Sequence, residues 1–269
     1  MKFDLHTHHE RCGHADGRIR DYIESAVAKG FDVIGISDHS PYFGSPEDHP
    51  EPGIAMARSE FTSYISQVLK LKEEYRGRIE VLLGMESDFF PRHIELYREA
   101  YAPYPFDYII GSVHQTADAV SVFNRTRWRG LSDYDKAQVK EGYYRLIRQS
   151  AASGLFQILG HIDAMKGFYP EFSAIPFKAL EETLAAIRDT GVAIEVNTSG
   201  KTKDSGGWYP SDEILERACY YRIPVTFGSD AHNPSRIGDD FEPVQRKLRE
   251  IGYREWVYFR QKAMQRVPL

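Results

Sequence analysis

Seven short apolar runs recur along the chain, at residues 2–6, 31–37, 79–85, 107–113, 156–160, 192–197 and 224–229. The runs are short and largely apolar, as strands buried on both faces should be. Between the runs, apolar residues return at helical spacing. Tyr22, Ile23, Ala26 and Val27 share one face, and Phe61, Ile65, Val68 and Leu69, with Lys72 in register, share another. Ala179, Leu180, Thr183, Leu184 and Ile187 repeat the pattern, as do Ile214, Leu215 and Ala218. Gly30, Gly77, Gly154 and Gly191 stand where helices should give way to strands, positions that favour a left-handed cap. Ser132 with Asp135 predicts a capping pair opening a helix that runs to about residue 153. Ser211, after Pro210, predicts another N-cap.

Alternating strands and helices in seven units predict an α/β fold: a single distorted (β/α)7 barrel of TIM type, one domain over residues 1–269. The tail, residues 252–269, either adds a short strand around 257–259 or packs across the barrel floor. Three long irregular stretches, 40–58, 115–130 and 198–210, leave the carboxyl ends of strands. Barrel enzymes place their binding loops there.

Composition narrows the function class. Hydrophobic residues make up 42% of the 269, enough for a core and incompatible with a disordered chain. A net charge of −5 and the lack of a basic stripe argue against a dedicated nucleic-acid binder. Asp4 and His6 interrupt the N-terminus before an apolar signal core could form, and no run approaches a membrane span. Cys12 and Cys219 lie far apart, so two reduced thiols in a cytoplasmic protein are the simpler expectation than a disulfide. Nothing in the sequence fixes an oligomeric state.

The chemistry sits where the strands end. His6-Thr7-His8 and Asp230-Ala231-His232 each put two polar side chains two residues apart, hence on one side of an extended chain. Asp38-His39, Glu86, His114 and His161 end the runs between them. Seven of the ten histidines fall at strand ends or in the first loop: His6, His8, His14, His39, His114, His161 and His232. One such histidine is ordinarily a hydrogen-bonded polar group. Seven at one barrel mouth would be costly to bury without a cation. The pattern predicts a metal-dependent hydrolase with its site at the carboxyl ends of the strands.

With these motifs the sequence resembles the PHP (polymerase and histidinol phosphatase) family, over His6 to His232. Three stretches carry a narrower resemblance to its histidinol-phosphatase branch: Arg11-Cys12-Gly13-His14-Ala15, Ser37-Asp38-His39-Ser40-Pro41, and Glu195-Val196-Asn197-Thr198-Ser199-Gly200 with Tyr209-Pro210-Ser211 behind it. The resemblance implies three divalent metal ions. One would take His6, His8, Glu86 and Asp230; a second His14, His39 and His232; a third His114 and His161, with Glu86 bridging. Nitrogen and oxygen donors without thiolate suit zinc, iron or manganese.

It also implies hydrolysis of L-histidinol phosphate, a small phosphorylated substrate, by a metal-bridging hydroxide that attacks phosphorus in line. Asp230, His232 and Glu86 are the candidate catalytic groups. Family members carry basic residues in the two loops that here hold Lys166, Lys201 and Lys203, candidate phosphate ligands. Arg125, Arg127 and Arg129 are further candidates. Asp38, Asp88 and Asn197 could meet the substrate's ammonium and imidazole, and Tyr42, Phe43 and Trp128 could wall the pocket. Asp4, Asp38 and Asp163 lie within two residues of candidate ligands and could brace them. The alternatives are a PHP-type phosphoesterase acting on nucleotides or other small phosphoesters, an amidohydrolase, and a non-catalytic metal-binding barrel. Glu86 stands where an amidohydrolase would want a bridging lysine, which favours the phosphoesterase.

Overall fold

The computed structural model describes residues 1–116, 120–124, 126–175 and 179–269. Strands β1 (Phe3–Asp4), β2 (Val33–Ile36) and β3 (Glu80–Leu83) pair in parallel, in that order. A second parallel ladder runs β4 (Glu86–Asp88), β5 (Ile110–Ser112), β6 (Ile158–Leu159), β7 (Ala193–Asn197) and β8 (Val225–Gly228).

Two seams join the ladders. The third apolar run supplies both β3 and β4, and the break at Gly84 and Met85 lets one run face two neighbours. Gly84 N donates to Ile36 O at 2.8 Å on one side, and Ile110 N to Met85 O at 2.8 Å on the other. Across the second seam Leu5 N donates to Phe227 O at 3.1 Å and His8 N to Ala231 O at 3.0 Å, bringing β1 against β8. Seven strand positions therefore ring the barrel, as the seven runs predict. Glycine at the break and on β2 makes room for Tyr108: a Cβ on Gly84 would lie 2.4 Å from its ring, and one on Gly35 1.9 Å from its hydroxyl. That hydroxyl donates to Leu5 O inside the barrel.

Helices α1 (Ile19–Ala28), α2 (Phe61–Glu74), α3 (Ile94–Tyr101), α4 (Asp133–Ala152), α5 (Leu180–Thr190), α6 (Asp212–Tyr220) and α7 (Phe241–Ile251) follow the strands. Their predicted apolar faces are buried, among them Tyr22, Ile23, Val68, Leu184, Ile187 and Leu215. Ser132 caps α4 as expected, its hydroxyl accepting from Asp135 N at 3.1 Å. Ser211 does occupy the N-cap position of α6, but its side chain makes no cap hydrogen bond.

The tail differs from expectation. Instead of one short strand it forms an antiparallel hairpin, β9 (Glu255–Arg260) with β10 (Ala263–Pro268). Gln261 and Lys262 both adopt positive φ, 49° and 65°, as a two-residue hairpin turn requires. Neither residue type advertises such a turn. Trp256 on β9 packs 4.8 Å from both Phe3 and Phe241, so the hairpin also seals the barrel beside β1. No helix among the described residues is long and apolar enough to cross a membrane. Both cysteines are free.

Candidate metal centre

Glu86 opens β4 at the seam, and its two oxygens face opposite halves of the barrel mouth. Oε2 lies 3.3 Å from His6 Nε2, 3.5 Å from His8 Nε2 and 2.9 Å from His39 Nδ1. Oε1 lies 3.0 Å from His161 Nε2 and 3.4 Å from His114 Nε2. Asp230 Oδ1 sits 3.0 Å from His8 Nε2 and 3.7 Å from His6 Nε2. His14 and His232 meet with their Nε2 atoms 2.9 Å apart. The His8 ring lies 4.3 Å from the His39 ring and 4.2 Å from that of His232. All nine candidate ligands thus converge.

This donor set fits divalent cations. His6 Nε2, His8 Nε2 and Glu86 Oε2 are buried and have no hydrogen-bond partner. Such orphaned atoms are costly, and three of them converging from two separate strands call for a shared acceptor of lone pairs. The donors are nitrogen and oxygen, the preference of zinc and other first-row cations.

Five of the seven imidazoles are aimed from behind. With Nδ1 protonated, His6 donates to Glu195 Oε1 (2.6 Å), His8 to Asp38 Oδ1 (3.2 Å) and His114 to Asp88 Oδ1 (2.6 Å). His14 and His232 donate instead to main-chain oxygens, Cys12 O at 3.2 Å and Asp230 O at 3.0 Å. Such bonds fix the tautomer and free Nε2 for a cation. Burial pushes the Glu86 and Asp230 carboxyls up, but the surrounding imidazoles outweigh it and hold both well below the usual range. Burial opposes charge on His8 too, yet Asp230 and Asp38 lift it to about 9. His6 and His114 are raised by their acidic neighbours against the same burial. Burial and the nearby imidazoles push His232 down to about 3.

Of the other acids, Asp4 is lifted to about 6 by burial and binds main chain: Ser229 N at 2.9 Å, Gly238 N at 2.9 Å and His6 N at 3.3 Å. Asp163 accepts from Ser211 N at 2.9 Å and pairs with Lys166 Nζ at 2.9 Å. Of the three suggested braces, only Asp38 stands directly behind a ligand ring.

A cavity of about 450 Å³ opens over the cluster, and Phe123, Phe168, Ser199, Tyr209, Lys203 and Arg236 line it beside the ligands. Lys203 is the only basic residue expected from sequence that reaches this wall among the described residues. Lys166 is buried against Asp163 and donates to Trp208 O at 2.7 Å. Lys201 turns toward Asp239 and Asp240, 3.4 and 3.1 Å away. Arg127 lies over the Trp128 ring, 5.9 Å from its centre, and Arg125 is outside the described residues. Asp38 and Asn197 are fully buried behind the ligands, so neither can reach a substrate. The expected walls are also elsewhere: Trp128 stacks on Tyr169, Phe43 packs on Phe61, and Tyr42 borders a separate cavity with Phe90.

Arg236 was missed in the sequence. Its Nε donates to Asp239 Oδ2 at 2.9 Å, and its Nη2 is buried with no hydrogen-bond partner. The available signal was its place four residues past His232 on the same loop. Glu195 was seen only as part of a motif, although it lies two residues before Asn197 on a strand, on the same side.

The PHP domain family model matches residues 4–199. That span holds seven of the nine donors, and Asp230 and His232 join them only through the seam between β8 and β1. A probable histidinol-phosphatase of Deinococcus radiodurans is 32% identical over 262 residues, covering 97% of this chain and 98% of the relative. The histidinol-phosphatase of Bacillus subtilis is 34% identical over 273 residues, covering 90% and 97%. The fold matches a crystal structure of histidinol phosphate phosphatase from Lactococcus lactis, complexed with zinc, L-histidinol and phosphate. There the TM-score is 0.78 at 19% identity, over 98% of both chains. The chain is a member of the PHP domain family.

Proposed function

We propose that this chain, acting as one barrel, hydrolyses L-histidinol phosphate to L-histidinol and inorganic phosphate. One observation carries the reading. The convergent donor set opens on a cavity with two side-chain cations, in a chain 32% and 34% identical to histidinol-phosphatases along nearly its whole length. We assign three divalent ions, zinc, iron or manganese: one at His6, His8, Glu86 and Asp230, one at His14, His39 and His232, one at His114, His161 and Glu86. When bound, they supply hydroxide at neutral pH and offset the charge of a phosphate dianion.

The chain's own groups do the rest. Ser199 Oγ and Asn197 Nδ2 donate to Asp230 Oδ2 at 2.9 and 3.2 Å, which turns Oδ1 toward His8. Lys203 and Arg236, which line the cavity, supply donors for phosphate oxygens. Phe123 and Phe168, edge to face at 5.8 Å, offer an aromatic wall for the imidazole. Two free thiols support a cytoplasmic setting.

The test measures phosphate release from L-histidinol phosphate beside a generic aryl phosphate, with and without exhaustive chelation. Strong preference for the former is expected, with all release lost on chelation. Equal turnover of both would reduce the reading to a small-phosphoester hydrolase, and activity undiminished by chelation would remove the metals.

A further inference from the structure

We infer that Glu195 is a positioning residue that sets the geometry of two metal subsites at once, an inference that rests on the ligation proposed above. Glu195 lies in the middle of β7, inside the barrel and 1% exposed. Oε1 accepts from His6 Nδ1 at 2.6 Å. Oε2 accepts from the main-chain N of His161 at 3.1 Å and from Asn197 Nδ2 at 3.0 Å. Asn197 in turn holds Asp230. One carboxylate therefore ties β1, the end of β6 and the end of β8 together, touching His6 and His161 directly and Asp230 through one amide.

The bond to His161 has a particular purpose. His161 has φ +21°, outside the regions a residue with a side chain ordinarily occupies. Such a conformation persists only where surrounding bonds enforce it. Capture of the His161 N–H by Glu195 does so, and the ring then points its Nε2 at Glu86 Oε1.

The barrel is also hollowed for this side chain. A Cβ on Gly228 would lie 2.0 Å from Glu195 Oε1 and 2.6 Å from the His6 Cβ. Gly228, on the neighbouring strand, leaves the space that the carboxylate fills.

All three groups that meet Glu195 are donors, so a carboxylate satisfies them and an amide cannot. Glu195→Gln keeps the shape but turns one arm into a donor. Facing His6, that arm forces the proton onto Nε2 and removes a ligand atom. Facing His161 and Asn197, it sets donor against donor.

The experiment compares wild type and Glu195→Gln, both metal-free and zinc-loaded, by chelator-competition titration, by absorption spectra with cobalt(II) in place of zinc, and by melting of the metal-free proteins. The variant is expected to lose metal affinity by roughly 10–100-fold. Its cobalt spectrum should change and kcat should fall more than KM rises, while the metal-free melting point drops by only a few degrees, as one buried donor left unpaired requires. Glu195→Asp, which keeps the charge but withdraws the carboxylate by one methylene, should lose affinity likewise, and it serves if Glu195→Gln does not fold. Wild-type affinity and an unchanged cobalt spectrum in either folded variant would overturn the role of Glu195. A wild-type protein that binds no metal would overturn the ligation itself, a distinguishable failure.

Discussion

His6, His8 and His114 each have a carboxylate behind the ring, whereas His14 and His232 have only a main-chain carbonyl. In the first group His6 and His8 are essentially inaccessible, and only 13% of the His114 side chain is exposed. The second stands at the rim, with 30% of the His232 side chain exposed. A charged brace raises the basicity of its ring, and a carbonyl does so far less. The deep histidines are correspondingly raised and His14 and His232 lowered, in both rim cases chiefly by burial and neighbouring imidazoles. The contrast teaches that one cluster holds two kinds of donor. On the ligation proposed above, deep donors would bind a cation strongly and would have to shed protons to do it; rim donors are already neutral and would bind less tightly.

Asp230 is where the two kinds meet. Its Oδ1 faces His8 Nε2 at 3.0 Å, and its main-chain oxygen accepts from His232 Nδ1 at 3.0 Å. The largest effect is therefore expected from Asp230→Asn, which removes the charge at the junction. His39→Ala, which strips the ring beside Glu86 Oε2, should match it. Phosphate release from L-histidinol phosphate should fall below detection in both, with the circular dichroism spectrum unchanged. Full activity in either would break the picture of one shared cluster.

What the sequence revealed follows from how each residue is held. A strand fixes side-chain direction by alternation, so His6, His8 and Glu86 could be oriented from position alone. The seven runs likewise marked the seven strand positions, although not the seam at Gly84 that splits one of them. Loops obey no such period. Lys166, Lys201 and Lys203 looked equivalent in sequence, and three different sets of partners separate them: a buried acid, two surface acids and the cavity. Asn197 looked like a substrate contact because it ends a strand. Its burial with Glu195 and Asp230 depends on neighbours far away in the chain.

The loop residues sharpen the contrast with a smaller effect. Lys203→Ala and Arg236→Ala each remove a charged donor from the cavity wall, and a charge-assisted hydrogen bond contributes about 1.5–3 kcal/mol. KM for L-histidinol phosphate should rise roughly 10–100-fold in each, by that range, with metal content unchanged. Lys166→Ala should behave differently. It strands Asp163 in a buried pair whose side chains are 7% and 3% exposed. The expected cost is about 3–5 kcal/mol of stability, read in denaturant unfolding, with KM nearly constant. A KM rise in Lys166→Ala as large as in Lys203→Ala would show that the loop after β6 reaches the substrate after all.

The smallest signal is a proton count, and it tests the two kinds of donor directly. A histidine must be neutral to ligate. In the metal-free protein at pH 7.5 His8, with a value of about 9, carries a proton, and His6 and His114 are raised in the same direction. His14, His39 and His232 are lowered and carry none. Metal loading at that pH should release protons, the one on His8 among them. The number should fall as the pH rises through 9, where His8 is already neutral, and metal affinity should climb over the same interval. Calorimetric titration in buffers of different ionisation enthalpy gives the count. Because deep donors fill first, release should be concentrated in the early equivalents and vanish as the rim fills. Release spread evenly over the titration, or none at all, would mean that the carboxylates behind His6, His8 and His114 do not distinguish them from the rim.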